Sequence, residues 1–174
     1  FLSNGPGDPQ DASGVIDWLR EMVIEPRLPI PVFGICLGHQ VLALAAGHTT
    51  RKMTYGHRGQ NVPVLFAARP EQGFITSQNH GYEVLLDKGL GGWAPLFINA
   101  NDGSCAGITS TVMPWFSVQF HPEAMPGPED TEWLFDVFDA AMDRDWSGHL
   151  SFNVVNYIKT SVLAPLCNWK PERG

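Results

Sequence analysis

The spacing of apolar residues predicts alternating strands and helices at the start of the chain. Short apolar segments at 1–3 and 32–35 are typical of buried strands in a parallel sheet. Between them, apolar residues over 15–23 recur at intervals of three and four, which indicates an amphipathic helix. A second helix is expected over 37–46, with Gly47 as its C-terminal cap. This strand, helix, strand, helix order is typical of a doubly wound α/β sheet.

The middle of the chain changes to short apolar segments separated by turn residues. Strands are expected over 62–67, 73–78, 93–99, 106–111 and 115–120. We interpret them as antiparallel strands added at one edge of the sheet. The predicted fold is therefore α/β, with a doubly wound, mainly parallel sheet flanked by helices in a flavodoxin-like arrangement, and with added antiparallel edge strands.

The last part of the chain predicts two further helices. Pro126-Gly127-Pro128 precedes an apolar stripe over 133–142, which is typical of a helix that packs against the core. After a polar break, apolar residues over 154–163 fit one more amphipathic helix. We expect one domain over residues 1–143 and a tail over 144–174. That tail is either a docking helix or a linker towards a following domain.

Bulk properties restrict the functional classes. The chain has 174 residues and a formal net charge of -7, so its surface repels phosphate backbones and a nucleic-acid partner is not expected. No segment resembles a signal peptide or a membrane span. The odd set of widely spaced cysteines, Cys36, Cys105 and Cys167, is no disulfide framework and favours the cytoplasm. Phe1 looks like the end of a buried strand, so earlier strands of the sheet are expected to be missing.

Gly34-Ile35-Cys36-Leu37-Gly38 has the G-x-C-x-G pattern of a nucleophile elbow, placed between a predicted strand and a predicted helix. The sharp turn needs glycines because side chains two residues either side of the nucleophile would collide with neighbouring backbone. The sulfur would then lie at a helix N-terminus, where the macrodipole favours the thiolate. A lone cysteine is more often a small buried hydrophobe, which is how we interpret Cys105 and Cys167.

A base for this nucleophile is expected in Gln119-Phe120-His121-Pro122-Glu123. Pro122 favours an extended backbone at His121, and residues two apart in an extended segment face the same side. His121 would take the proton of Cys36, and Glu123 would orient the imidazole as the third member of a triad. The remaining histidines show no metal-ligand spacing, so no metal site is predicted.

Three of these segments resemble the signatures of class I (triad) glutamine amidotransferases. They are Leu2-Ser3-Asn4-Gly5-Pro6-Gly7-Asp8-Pro9, Gly34-Ile35-Cys36-Leu37-Gly38-His39-Gln40 and Gln119-Phe120-His121-Pro122-Glu123. Further segments are similar to the glutaminase part of carbamoyl-phosphate synthetase. They are Gly56-His57-Arg58-Gly59-Gln60-Asn61-Val62-Pro63-Val64, Ser77-Gln78-Asn79-His80-Gly81-Tyr82 and Pro126-Gly127-Pro128. The resemblance implies a class I glutamine amidotransferase-like fold over residues 1–143.

The resemblance also implies a reaction and its residues. Cys36 would attack the carboxamide of glutamine, forming a glutamyl thioester and ammonia, with His121 and Glu123 completing the triad. Gly7 and Leu37 would supply oxyanion N–H groups. Glutamine would be held by Gly5, Gln40, Asn79, Gly81 and Tyr82, with His39 and His80 as helpers. No cofactor is expected on this chain; ATP and Mg would be used by the partner.

That implied partner is the large subunit of carbamoyl-phosphate synthetase or a fused synthetase domain, which would join the ammonia to bicarbonate. Two other interpretations stay open from the residues alone. One is a non-catalytic module that keeps the fold and only regulates or docks on a partner. The other is an unrelated cysteine hydrolase that uses the same elbow.

Overall fold

The computed structural model describes residues 1–25, 30–87, 89, 91–125, 127–144 and 152–164. After a 3-10 turn at Pro9–Ala12, the elements are α1 Ser13–Ile24, β1 Val32–Ile35, α2 Leu37–Ala45, β2 Thr49–Phe66, β3 Arg69–Leu85, β4 Trp93–Asn99, β5 Cys105–Ser110, β6 Trp115–Val118, α3 Trp133–Met142 and α4 Val154–Tyr157. Helix α4 continues as a π-helical stretch, Ile158–Val162.

These six strands form one open sheet in the order β1-β6-β5-β4-β2-β3. Strands β1 and β6 are parallel, and Leu2 forms a further parallel bridge with Gly34 on the other side of β1. The remaining pairings, from β6 through β5, β4 and β2 to β3, are antiparallel. The expected α/β class is confirmed, but over the described residues the sheet is mixed and not mainly parallel.

Alternation along the parallel strands divides the core between the two faces of the sheet. Phe33 and Phe116 belong to the cluster that packs against α3 and α4, and their rings stack with centroids 4.4 Å apart. Their neighbours Val32 and Trp115 belong to the cluster that includes α1 and α2. Because successive side chains of a strand point to opposite faces, all four can be buried at once. The central strands are thereby covered on both faces, as a parallel pair requires.

Strands β2 and β3 are much longer than their predicted cores, 62–67 and 73–78. Their pairing extends from Thr49 opposite Leu85 down to the turn between the two strands. Register shifts interrupt this ribbon between Lys52 and His57 and again between Gly59 and Val62. The added half is largely exposed and polar, so it lacks the apolar alternation by which a strand is predicted.

The C-terminal helix packs on the same core as the rest of the chain. Phe152, Val154, Ile158 and Leu163 are buried in one cluster with strand residues such as Phe116. The boundary that was placed after residue 143 remains a prediction. Within the described part of the chain, the helices are too short or too polar to cross a bilayer.

Candidate active site

Cys36 occupies the bend between β1 and α2. Its backbone has φ 53° and ψ -101°, and it is the one non-glycine residue with positive φ among the described residues. Such a conformation costs roughly 1–3 kcal/mol and persists only where surrounding structure enforces it. Here the Cys36 N–H donates to Val118 O at 2.8 Å, and the Gln40 N–H donates to Cys36 O at 3.2 Å. The bend is therefore fixed by β6 on one side and by the first turn of α2 on the other.

The flanking glycines are needed for close backbone approach. A Cβ atom at Gly34 would lie 2.7 Å from Gly38 O, and one at Gly38 would lie 2.2 Å from Leu2 O. Both distances are far inside van der Waals contact with backbone atoms that cannot rotate away. The structure thus agrees with the expectation from the sequence that the positions two residues before and two residues after Cys36 have no room for a side chain.

His121 and Glu123 lie beside this cysteine. The Cys36 and His121 side chains interact electrostatically, Cys36 Sγ donates to Asn79 O at 3.9 Å, and His121 Nδ1 lies 2.9 Å from Glu123 Oε1. The His121 N–H also donates to Ser77 O at 2.9 Å, which ties the segment after β6 to β3. Because Nδ1 faces the carboxylate, Nε2 is the nitrogen left for the sulfur. The three side chains thus have the order thiol, imidazole, carboxylate.

Electrostatics favour the cationic form of this imidazole. Hydrogen bonds to Cys36 and Glu123 raise the pKa of His121 to about 10, against a smaller opposing effect of burial. Burial acts to raise the pKa of Glu123, but the hydrogen bond from His121 and a backbone hydrogen bond outweigh it and hold that pKa below its ordinary value. A carboxylate that stays ionised next to an imidazole stabilises the imidazolium that forms when a thiol gives up its proton.

Cys36 opens into a cavity of about 140 Å³. Its lining residues are Gly5, Pro6, Gly7, Cys36, Gln40, Arg58, Asn79, His80, Gly81 and Tyr82. All the predicted substrate-binding residues except Leu37 are among them. Leu37 begins α2, and its side chain packs against Gly5, because a Cβ on Gly5 would lie 2.8 Å from Leu37 Cδ2. Larger concavities of about 600 and 530 Å³ lie between the β2–β3 ribbon and the segment that joins β4 to β5, and one of about 280 Å³ lies beside β5 and α4. Volume alone therefore does not locate this site.

The cavity wall is held together by hydrogen bonds between distant segments. Gln40 Nε2 donates to Tyr82 O at 3.0 Å and to Gln119 Oε1 at 3.1 Å, so its oxygen is the polar atom that it can offer to a ligand. The Tyr82 hydroxyl donates to Asp8 Oδ2 at 2.9 Å. This bond joins β3 to the loop that carries Gly7, whose φ of 101° suits glycine. Asp8 was not predicted, although its position before Pro9 is typical of a cap.

The two helper histidines are buried and neutral. Burial lowers the pKa of His39 to about 3, and its Nδ1 lies 2.9 Å from Ser117 Oγ. Burial likewise lowers the pKa of His80 to about 4, and its two ring nitrogens contact Tyr82 O and Gln78 Oε1. Neither residue carries charge at neutral pH, so each contributes shape and hydrogen bonds to the region around Cys36.

The other described cysteine, Cys105, does not contribute to this site. Burial raises the pKa of Cys105 to about 12, and its Sγ contacts Gly107 O, which suits an inert core thiol. Cys167 lies outside the described residues. Over those residues, no cluster of three or more His, Cys, Asp or Glu side chains is placed to hold a metal ion. The sequence analysis also missed Arg58 as a cavity residue, because only the strand register brings it beside Asn79.

The fold and this arrangement define a class. The chain belongs to the class I glutamine amidotransferases, because the family description "Glutamine amidotransferase class-I" matches residues 1–141. Among solved structures, a glutamine amidotransferase from Thermotoga maritima shares the fold, with a TM-score of 0.54 and 20% identity over 70% of this chain and 54% of its own.

More similar relatives are known by sequence. Multifunctional protein ura1 of Schizosaccharomyces pombe is 54% identical over 146 residues, which is 83% of this chain and 6% of that protein. The arginine-specific small chain of carbamoyl phosphate synthase from Aspergillus clavatus is 48% identical over 138 residues, 79% of this chain and 30% of its own length. This chain thus spans well under half the length of the relatives that it matches.

Proposed function

We propose that this chain is the glutaminase component of a glutamine-dependent carbamoyl-phosphate synthetase. The observation that carries the proposal is the placement of the His121–Glu123 pair beside Cys36, the thiol that lines the cavity. Within the amidotransferase family, the high identity to a carbamoyl phosphate synthase small chain favours carbamoyl-phosphate synthetase as the enzyme to which this chain contributes.

In the proposed reaction, the thiol proton already resides on His121, as the raised pKa of that imidazole favours, and the Cys36 thiolate attacks the carboxamide carbon of glutamine. The C–N bond then breaks, and the leaving amine takes a proton from His121 to depart as ammonia. A water molecule, deprotonated by the same imidazole, adds to the thioester carbon and displaces the sulfur, giving glutamate. Assistance by a positioned acid and base of this kind is worth about 10²- to 10⁴-fold in rate.

Negative charge on the tetrahedral intermediates needs donors that are already in place. The N–H of Leu37, the first residue of α2, follows the nucleophile directly and lies at the positive end of the helix. The N–H of Gly7 belongs to the loop on the facing wall of the cavity. We assign these two groups to the oxyanion hole, where loss of one donor costs about 3 kcal/mol.

The ammonia is proposed to pass to a synthetase, present as a large subunit or as a fused domain, that uses ATP, Mg and bicarbonate. The similarity to ura1, a multifunctional protein, favours fusion. Cytoplasmic location is part of the same proposal. Neither nucleic acid nor a membrane is expected as a partner, given the net charge of -7 and the apolar segments available.

Replacing the nucleophile in the full-length protein tests the proposal. Cys36→Ala should abolish synthesis from glutamine and leave synthesis from added ammonium unchanged, because only the first step needs the thiolate. Cys105→Ala is the matched control, since that thiol is similarly buried but lies outside the cavity. Equal loss of both activities in Cys36→Ala would contradict the proposal. Failure of a glutamine-like alkylating agent to label Cys36 would favour the non-catalytic alternative.

A further inference from the structure

A recess of about 280 Å³ lies between β5 and the C-terminal helix. It shares no lining residue with the cavity that contains Cys36, so it is a separate feature of the molecule. Its lining is mostly polar, and small apolar side chains complete it. The polar residues that line it are Thr109, Ser110, Thr111, Asn153, Asn156 and Lys159. Hydroxyl, amide and ammonium groups are all hydrogen-bond donors, so this recess is suited to a ligand that is rich in acceptors.

Thr109 forms the floor of this recess. It pairs with Phe116 of β6, whose ring belongs to the cluster that packs against α3 and α4. Residues directly opposite each other in antiparallel strands point to the same face, so the Thr109 hydroxyl points towards α4. Thr109 is 2% exposed, and its Oγ1 lies 3.3 Å from Ser110 O and 3.4 Å from Trp115 O. Both distances exceed the roughly 2.5–3.0 Å of an ordinary O–H···O bond, so this buried hydroxyl is poorly satisfied by the protein.

Lys159 supplies the charge of the recess. It lies in the π-helical stretch that continues α4, and it is partly buried. Within the described part of the chain it forms no ion pair, and no carboxylate lines the recess. This is notable because acidic residues outnumber basic ones in the chain, 18 to 11. An ammonium group that has lost part of its water without gaining a carboxylate favours an anionic ligand.

The remaining donors are held in place by the backbone. Asn153 Oδ1 accepts from the Asn156 N–H at 2.8 Å, so the amide nitrogen of Asn153 is the atom left to donate to a ligand. On the opposite wall, the Thr111 N–H donates to Gly92 O at 2.7 Å, which ties the end of β5 to the segment before β4. The donors on both walls therefore surround one cation in a geometry that does not depend on a ligand.

We propose that this recess binds the phosphate group of a small molecule, either inorganic phosphate or a phosphomonoester. The phosphate of an ester has three terminal oxygens that accept hydrogen bonds, one more than a carboxylate, and so makes fuller use of the ammonium, hydroxyl and amide donors. Lysine binds phosphate as a point charge. Because one water occupies about 30 Å³ of liquid, a recess of about 280 Å³ also has room for the organic part of a small ester. The inference is independent of the glutaminase proposal.

The test labels the full-length protein with an amine-reactive reagent and measures the modification of Lys159 by peptide mass spectrometry. This measurement reports on the recess alone, even if other parts of the protein bind phosphate. Inorganic phosphate and glycerol 3-phosphate should each slow the labelling of Lys159 in a saturable way, and chloride at equal ionic strength should not. Lys52, an exposed lysine of β2 outside the recess, is the internal control and should be labelled at an unchanged rate. The ligand that protects at the lower concentration distinguishes an ester from the free ion.

Asn156→Asp places a carboxylate on the wall of the recess at an exposed position, with almost no change in size. It should raise the concentration needed for protection at least about 10-fold, because a like charge repels the phosphate. Asn101→Asp makes the same change at an exposed position outside the recess and should have no effect.

Three results would overturn the assignment: no protection of Lys159 by either ligand, equal protection of Lys52, or unchanged protection in Asn156→Asp. A Lys159 that resists labelling before any anion is added would also overturn it, because another part of the full-length protein would then cover the recess.

Discussion

Cys36 combines backbone strain with a specific partner, and each depends on a few neighbouring atoms. The positive φ of 53° is enforced by backbone hydrogen bonds on both sides of the residue. The partner, His121, is itself oriented by Glu123 at 2.9 Å. A single imidazole thus links the thiol of Cys36 to a carboxylate that remains ionised. We therefore expect a substitution of Glu123 to change activity by changing the protonation state of His121.

Glu123→Gln should lower the pKa of His121 from its raised value of about 10, because the variant removes a negative charge and weakens one of the two raising hydrogen bonds. An imidazole with a lower pKa loses its proton at lower pH, so the alkaline limb of activity should move to lower pH. We also expect kcat to fall at least about 10-fold, since the imidazolium loses its stabilising partner. The pH dependences of kcat/KM and of kcat for glutamine, measured separately, test the two effects.

Glu129→Gln makes the same chemical change at an exposed position and serves as the control. Its pH profile should match that of the parent. An alkaline limb that stays in place in Glu123→Gln would show that the carboxylate does not tune the imidazole.

The start of α2 packs closely against the backbone of Leu2 next to the site. Gly38 makes that close packing possible, since a Cβ there would lie 2.2 Å from Leu2 O. Leu2 is fixed in turn by two backbone hydrogen bonds of 2.9 Å to β1. The helix cannot move away without shifting the sulfur that it carries at its first turn.

Gly38→Ala should therefore lower both stability and activity. Overpacking against backbone costs about 1–3 kcal/mol of unfolding free energy, and any relief by tilting α2 displaces Cys36. Gly14→Ala is the matched control, because Gly14 lies in α1 with open space around its missing Cβ. There alanine should raise the free energy of unfolding by up to about 1 kcal/mol. Denaturant unfolding and kcat for glutamine test the pair; equal effects of both variants would contradict the steric argument.

From the sequence, the arrangement of the candidate residues could be predicted where local pattern and chemistry coincide, while their catalytic roles remain predictions. The elbow glycines, Cys36 and the His121-Glu123 spacing follow from backbone sterics and side-chain direction alone. The outer half of the β2–β3 ribbon was missed because it is exposed and lacks apolar alternation. Arg58 was missed as a cavity residue for a related reason: a register with bulges brings it beside Asn79, and bulges carry no signal in hydrophobic spacing.

At the scale of the whole molecule, one apolar cluster joins the two ends of the described chain. It contains Phe33 from β1, Leu134 from α3, and Ile158 and Leu163 from the C-terminal helix. The face of the sheet opposite α1 and α2 is therefore covered partly by residues beyond the predicted boundary at 143. If this packing contributes to the fold, the tail is a structural part of the amidotransferase domain rather than only a linker.

Truncating a buried side chain of that helix tests the point. Ile158 is fully buried in the cluster, so Ile158→Ala should lower the free energy of unfolding by about 2–5 kcal/mol, through lost burial and the cavity left behind. The change should appear in the tryptophan fluorescence transition, to which Trp115, a fully buried residue of β6 on the other side of the sheet, contributes. Ser161→Ala, at an exposed position of the same helix, should leave that transition in place. If Ile158→Ala also leaves it in place, residues 144–174 are energetically separate and the predicted boundary is correct.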